Sequence, residues 1–411
     1  MTKKIWYFRF IFLTIICIGT LIGLAWGNSI AIHQKPVEKY FLVPWSALRS
    51  FLETGENPYG GSEARKTQGM FYGRSANSNE DPLLLSHPFA SEILFFPLAL
   101  IKDYAVARNV WMLILELALM ASAFLSALLF EWKMPVWLLV VYILFVVLGV
   151  QSIKPLLNND EVILQSFFFI AGLYFLRKKR DEVAGGLISL TFLTPSATGL
   201  FLLFTLSWII LNRRWHILWG MLMTLGFLLL VSFALFPGWL IPFIQSYKTQ
   251  IPYLGYTSTY QILTKLWPAI GNKTAMALTM MIITLIVLEL RVKEIQSARW
   301  FIWVAMFSLA ANFLLGIPTI QGYGIFLVYP FAYIIKIVSE RLTPRKRPFF
   351  IVIMLGIFFI IAWMLEIKFT AVIPGLMNIL FPTIMIVLSL YWIRWWSIKP
   401  YRTRMNLIDN E

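Results

Sequence analysis

Arg177-Lys178-Lys179-Arg180, then DEVAGGLISLTFLTPSATGLFLLFTLSWIILN over residues 181–212, then Arg213-Arg214-Trp215 is the stretch that decides the fold. Basic clusters close both ends of one apolar run, and short loops rich in Lys and Arg stay on the cytoplasmic side of a membrane. A run with both ends on one side must turn back. Its middle, Leu193-Thr194-Pro195-Ser196-Ala197-Thr198-Gly199, carries the turn. The two halves of Val183 to Leu211 hold roughly 11 and 15 residues, too few at about 1.5 Å rise per residue for an untilted crossing of a ~30 Å core. The reading is a broken helical hairpin near 183–211 whose free backbone groups are covered by protein or water, so that it lines a cavity. The alternative, one tilted helix kinked at Pro195, breaks the alternation of loop charge downstream.

That alternation runs through the whole chain. Lys3, Lys4 and Arg9 precede the first apolar run, and basic clusters recur at every second turn: Arg291, Lys293 and Arg299; Arg341 and Arg345-Lys346-Arg347; Arg394, Lys399, Arg402 and Arg404. The loops between are poor in basic residues, such as Pro318 to Gly324, or long. With 59% hydrophobic residues and a mean hydropathy of +0.74, the 411-residue chain is excluded from the soluble globular class. Spans are predicted near Phe10–Ile32, Tyr104–Phe130, Pro135–Val150, Asp160–Phe175, the split pair in Val183–Leu211, Trp215–Phe236, Thr274–Leu290, Trp300–Ile317, Ile325–Val338, Phe349–Leu365 and Leu376–Ile393. The fold class is therefore an all-α polytopic membrane protein of about 11–13 transmembrane helices, one integral membrane domain over 1–411 with a cytoplasmic tail at 394–411. It is expected in the cell membrane with both termini cytoplasmic. The net charge of +15 flanks the spans, which suits an anionic inner leaflet and not nucleic acid. The single cysteine, Cys17, has no partner for an intrachain disulfide. The first run ends without a small-residue cleavage site and reads as a retained anchor.

Two outer loops are large. The first, 33–103, contains two amphipathic stretches, Glu38 to Glu53 and Pro88 to Lys102. Phe41, Trp45, Leu48, Phe51 and Leu52 make one apolar face that predicts an interfacial helix, with Trp45 at headgroup depth. Thr54-Gly55-Glu56-Asn57-Pro58-Tyr59-Gly60-Gly61 is turn chemistry. The second loop, 237–273, carries Tyr247, Tyr253, Tyr256, Tyr260 and Trp267, with a short helix predicted over Ser258–Trp267. Aromatics at this density mark an interfacial belt, or else a surface on which sugars stack.

The order of several motifs resembles the GT-C fold of polyprenyl-phosphate-dependent glycosyltransferases and, within it, glycosyltransferase family 87. Trp45-Ser46-Ala47-Leu48-Arg49-Ser50-Phe51-Leu52 with Gly55-Glu56-Asn57-Pro58-Tyr59 is similar to the family's aromatic-Ala helix and Asn-Pro-Tyr turn. His87-Pro88-Phe89, Phe96-Pro97-Leu98-Ala99-Leu100 and Trp111 resemble its Pro-Phe, Pro-Leu-Ala and Trp series. Ala184-Gly185-Gly186-Leu187 through Thr194-Pro195 to Arg213-Arg214-Trp215 resembles its hairpin, and Tyr256-Thr257-Ser258 stands where the family tends to show Asn-Gln-Ser. The resemblance spans roughly residues 1–290. It implies a hexose, mannose by the family's studied members, carried on a polyprenyl phosphate and transferred to a lipid or glycan acceptor on the outer face.

The departures from the pattern are chemical. The resemblance implies a catalytic acid near the start of the first outer loop, where this chain has Tyr40 or Phe41. Asp160-Glu161 replaces a Gly-Gln pair, and Thr194 replaces the Lys of a Lys-Pro turn. Sugar transfer needs a carboxylate to take the acceptor's proton and cations or a metal to hold the leaving phosphate. Glu38, just upstream of the vacant position, is the first candidate base, with a solvated pair to Lys35 or Lys39 as its plain alternative. Asp160 and Glu161 open a span, where a helix dipole favours acids. They either cap it or face the cavity and bind acceptor hydroxyls or a divalent ion, Mg or Mn. His87, Lys154 and Arg74 are the candidates for the donor phosphate, and Trp45, Tyr256, Ser258 and Gln321 for sugar or acceptor contact. No Gly-x-x-x-x-Gly-Lys loop, His-Glu-x-x-His site or glycine-flanked Ser elbow competes. Two other functions stand as alternatives: a catalytically silent relative that binds a lipid-linked glycan, which an unfilled base position favours, and a lipid-sugar flippase, which is expected to show a repeat of two halves and ionisable residues near the midplane.

Overall fold

The computed structural model describes residues 19–35, 37–193, 195–290, 297–315, 317–369 and 380–399. Lys3, Lys4, Arg9, Cys17, Thr194, Arg291, Lys293, Arg402 and Arg404 lie outside the described residues. The chain is all-α and polytopic. Among the described residues the sole β-type pairing outside helices is one antiparallel bridge, Thr257 to Thr319. Among the described residues five helices are long and apolar enough to cross a membrane, Tyr104–Leu129, Trp215–Leu235, Gly271–Leu290, Gly322–Ser339 and Arg347–Lys368, or six if the bent pair Val136–Leu148 and Val150–Leu157 is one span. Shorter apolar helices follow the remaining predicted runs: Val136–Leu148, Val162–Arg177, Pro195–Leu211, Ala298–Asn312 and Phe381–Trp392. The chain forms two compact units, one of residues 1–118, 155–161 and 230–253, the other of 119–154, 162–229 and 254–411.

The hairpin is present in the second unit. Its arms are Asp181–Leu190, continued by a 3-10 turn at Thr191–Leu193, and Pro195–Leu211. The two ends of the run meet: Arg214 Nε donates to Asp181 Oδ2 at 3.0 Å, which a single kinked helix would prevent. Asn312 ties the turn from the side, its amide donating to the Ser196 carbonyl at 2.7 Å and its oxygen accepting from Leu200 N at 3.0 Å. Small residues let the backbones close up, as is common where helices pack in lipid. A Cβ at Gly185 would lie 2.0 Å from the Ile217 carbonyl oxygen, and one at Gly220 2.0 Å from that of Glu182. Gly185→Val is therefore expected to cost about 3 kcal/mol or more through overpacking, read as loss of monodisperse protein and a lowered Tm in detergent. Gly226→Ala, with open space around its Cβ, is the neutral control.

Three segments differ from the sequence reading. Residues 54–87 contain a helix, Gly61–Tyr72, whose buried side chains are Glu63, Ala64, Thr67 and Gln68. Its buried face is mostly polar, with Ser46 Oγ donating to Glu63 Oε1 at 2.7 Å and Gln68 Nε2 to the Pro82 carbonyl at 2.8 Å, so hydrophobic periodicity does not reveal it. The helix Lys39–Thr54 exists, but the N-terminal part of its apolar face is buried in protein, with Phe51 half-buried and Leu52 exposed. Phe41, Leu42, Trp45 and Leu48 are all buried, and Trp45 Nε1 donates to the Ile101 carbonyl at 3.3 Å. Trp45 is thus a packing residue set edge-on to Tyr104, not a headgroup anchor. The run after Pro135 breaks at Gly149, whose extended φ and ψ end one helix and start Val150–Leu157 at a 52° bend. In the second outer loop the predicted short helix is Thr259–Leu266, and a further one, Leu240–Gln250, precedes it.

Candidate functional site

The first unit gathers most of the candidate acids. Its scaffold is the helix Lys39–Thr54 packed on Gly61–Tyr72 and on the broken helix Phe89–Glu92, Ile93–Phe95 and Phe96–Ala99. Aromatic rings fill the space between them. Phe89, with no exposed surface, meets Phe51, Phe96 and Phe236 at 5.3, 5.9 and 5.8 Å, and Phe41 stacks on Trp111. Rings of this size order a segment by burial alone.

His87 is held from both sides of the chain. The turn Asn57-Pro58-Tyr59 presents the buried Tyr59, whose hydroxyl donates to the His87 carbonyl at 2.7 Å. Asn57 Oδ1 shapes that turn by accepting from Tyr59 N at 3.0 Å. The His87 imidazole is half-buried, with Nδ1 3.3 Å from Glu92 Oε1. Glu92 is completely buried, and neither of its oxygens accepts a well-directed hydrogen bond among the described residues. Burial alone would lower the His87 pKa, but the charges of Glu161, Glu92 and Asp160 outweigh it and push the imidazole up to about 9. At neutral pH His87 is a cation beside Glu92 and under the field of Glu161 and Asp160.

The Asp160–Glu161 corner has its own supports. Asn159 takes a left-handed φ of 59°, which asparagine tolerates better than most residues. Its side-chain oxygen accepts from Arg108 Nε at 2.6 Å and its carbonyl from Trp111 Nε1 at 3.0 Å. This turns Asp160 inward, 8% exposed, and leaves Glu161 half-buried. Nearby, Tyr40 occupies the place where the resemblance implied a carboxylate. Burial, then Asp160, Glu38 and Asp81, raise its pKa, so the phenol stays protonated.

Glu38 lies at the start of the Lys39–Thr54 helix, buried and ion-paired with Lys35. Its backbone N–H donates to the Tyr104 hydroxyl at 3.2 Å. Glu38→Gln tests its candidacy as the base: a loss of transfer of about 100-fold or more, typical of removing a general base, is expected if it is, and a change of less than about tenfold if pairing with Lys35 is its whole role. Asp81 anchors the neighbourhood, taking Lys39 Nζ at 2.7 Å and Gln250 Nε2 at 2.6 Å. Arg74 is committed to Glu80 by two 2.7 Å bonds, which with the Asn77 N–H hold the Glu80 pKa down at about 2.

Four further candidates belong to the second unit. Lys154 pairs with Glu366. Ser258 is a helix cap: its Oγ accepts from Gln261 N at 3.2 Å and its N–H donates to Gln261 Oε1 at 3.1 Å. Tyr256 is half-buried beside the Thr257 to Thr319 bridge, and Gln321 opens the 3-10 segment Gln321–Leu327. Among the described residues no group of three or more His, Cys, Asp and Glu is arranged to hold a metal ion.

A family comparison bears on this arrangement. The model of glycosyltransferase family 87 matches residues 87–318. The chain belongs to glycosyltransferase family 87. It is a membrane glycosyltransferase, and the matched region opens at His87 and includes Glu92, Asp160, Glu161 and the hairpin. The aromatic-Ala helix and the Asn-Pro-Tyr turn precede the match, as does Glu38. No curated protein and no solved structure shows significant similarity to this glycosyltransferase.

The residue that sequence reasoning passed over is Glu92. It is the sole charged residue between His87 and Lys102. An isolated carboxylate in an apolar run was the available signal, since burying one without a partner is costly. What the signal lacked was the partner, because His87 and Glu92 face each other only after Pro88 has started a new helix between them.

Proposed function

We propose that this glycosyltransferase transfers a hexose, mannose in the first instance, from a polyprenyl-phosphate donor to a hydroxyl of a lipid or glycan acceptor at the outer membrane face. The single observation that carries the reading is the His87 imidazole beside buried Glu92, held cationic by the charges of Glu161, Glu92 and Asp160. In it, protonated His87 donates to the donor phosphate and stabilises the charge that grows as the phosphate leaves. Glu161, the more accessible carboxylate, takes the proton of the acceptor hydroxyl as that oxygen bonds to the anomeric carbon. The anomeric carbon to phosphate-oxygen bond breaks, and polyprenyl phosphate departs with the electron pair. Buried Glu92 keeps His87 charged and oriented. A lipid-linked donor also accords with a chain that has no nucleotide-binding loop.

The test supplies membranes carrying the protein with labelled polyprenyl-phosphate mannose, the glucose analogue and GDP-mannose in parallel, with lipid and glycan extracts of the producing cells as acceptors. Label entering product from the polyprenyl-phosphate mannose alone supports the reading. Product from GDP-mannose in lipid-depleted, purified protein would overturn the donor class. Donor binding without product, with the native acceptors supplied, would overturn transfer in favour of a silent binding protein.

A further inference from the structure

The second unit contains a cavity of about 480 Å³ where the hairpin's two ends meet. Three cations line it, Arg177, Lys179 and Arg214, against the single carboxylate of Asp181. Its inner wall is apolar, formed by Leu173, Trp208 and Phe301 among others. We propose that this cavity binds the phosphate of an anionic phospholipid, with the lipid's glycerol and first acyl carbons against the apolar wall.

The cations are positioned, not merely present. Lys179 takes a left-handed φ of 60° at the end of the Val162–Arg177 helix, its N–H donating to the Leu176 carbonyl at 3.1 Å. Its ammonium has no carboxylate partner among the described residues. Arg214 is fixed by Asp181 and by the Trp208 ring, 5.0 Å from its guanidinium, and pairing with Asp181 uses two of its five N–H donors. Arg177 bonds the Leu129 carbonyl and pairs with Glu131, which lies outside the lining.

The shape decides between two sources of phosphate. A free phosphate would use the cations alone, whereas a phospholipid also uses the apolar part of the lining. The cavity also lies where basic loops flank apolar helices, the level at which headgroups sit.

The test uses the full chain, purified in neutral detergent, and needs no activity. Native mass spectrometry would follow retention of dioleoyl phosphatidylglycerol against dioleoyl phosphatidylcholine, with inorganic phosphate as a competitor. The expected result is preferential retention of phosphatidylglycerol, weakened about fivefold in Lys179→Gln, the effect of about 1 kcal/mol for one cation at a membrane surface, and unchanged in Arg345→Gln. Lys179 is exposed, so the variant is expected to fold, and an unchanged Tm checks this. Equal retention of the two lipids would overturn the proposal. So would equal weakening by Arg345→Gln, which would mean diffuse attraction, or full displacement by inorganic phosphate, which would make the free ion the ligand.

Discussion

His87→Gln is expected to lower kcat/KM for the polyprenyl-phosphate donor by about 100- to 1000-fold, the usual loss when one donor to a developing anion is removed. The same change strands the Glu92 carboxylate. Breaking a buried ion pair costs several kcal/mol because the remaining charge has no water around it. Here about 1–3 kcal/mol is expected, since the His87 side chain retains 37% of its surface. The two effects separate in His87→Gln with Glu92→Gln, which removes the stranded charge. That double variant is expected to recover most of the lost Tm and none of the lost activity. Recovery of activity would show that His87 acts only by neutralising Glu92. The same pair sets a pH dependence. The His87 pKa rises on folding from about 6.5 to about 9, so its stabilisation is complete below pH 6.5 and is lost as pH climbs through 9. Thermal unfolding should shift down over that window in the wild type and stay flat in the double variant.

Glu161→Gln is expected to reduce turnover by about 100- to 10,000-fold, the range over which positioned general bases act, while leaving donor affinity within a few-fold. The amide preserves the shape of the corner but cannot take the acceptor's proton. Single-turnover transfer and donor binding measured on the same preparation give the split. Asn159, anchored through Arg108 and Trp111, keeps the corner in place, but the Glu161 charge is the largest of those that raise the His87 pKa, so the Tm is expected to fall by part of what His87→Gln loses. Turnover within threefold of wild type would remove Glu161 from the mechanism.

The loop charges and apolar runs were legible because the bilayer imposes a linear code: residue by residue, an apolar stretch must match its thickness, and cations stay on one side. The hairpin at 183–211 follows from that code, and the Asp181 to Arg214 bond is its structural counterpart. The Gly61–Tyr72 helix does not follow from it, since what stabilises it is a polar contact between Ser46 and Glu63, seventeen residues apart. Trp45 shows the same limit from the other direction. Its spacing gives an amphipathic face, but whether that face meets lipid or protein depends on the segments that fold over it.

The candidate site divides in the same way. By itself the sequence determined that this is an all-α membrane protein with a broken hairpin, family motifs and several acids near the first outer loop. It also determined that Tyr40 or Phe41 stands where a carboxylate was implied. Only the tertiary structure decided which charges act on one another. His87 and Glu92 are separated by a proline-started helix, and Glu161 lies 74 residues beyond His87. Electrostatic coupling depends on distance and burial, neither of which is written along the chain. Folding brings the charges of these carboxylates to bear on His87, and that is what turns an ordinary histidine into a cation at neutral pH.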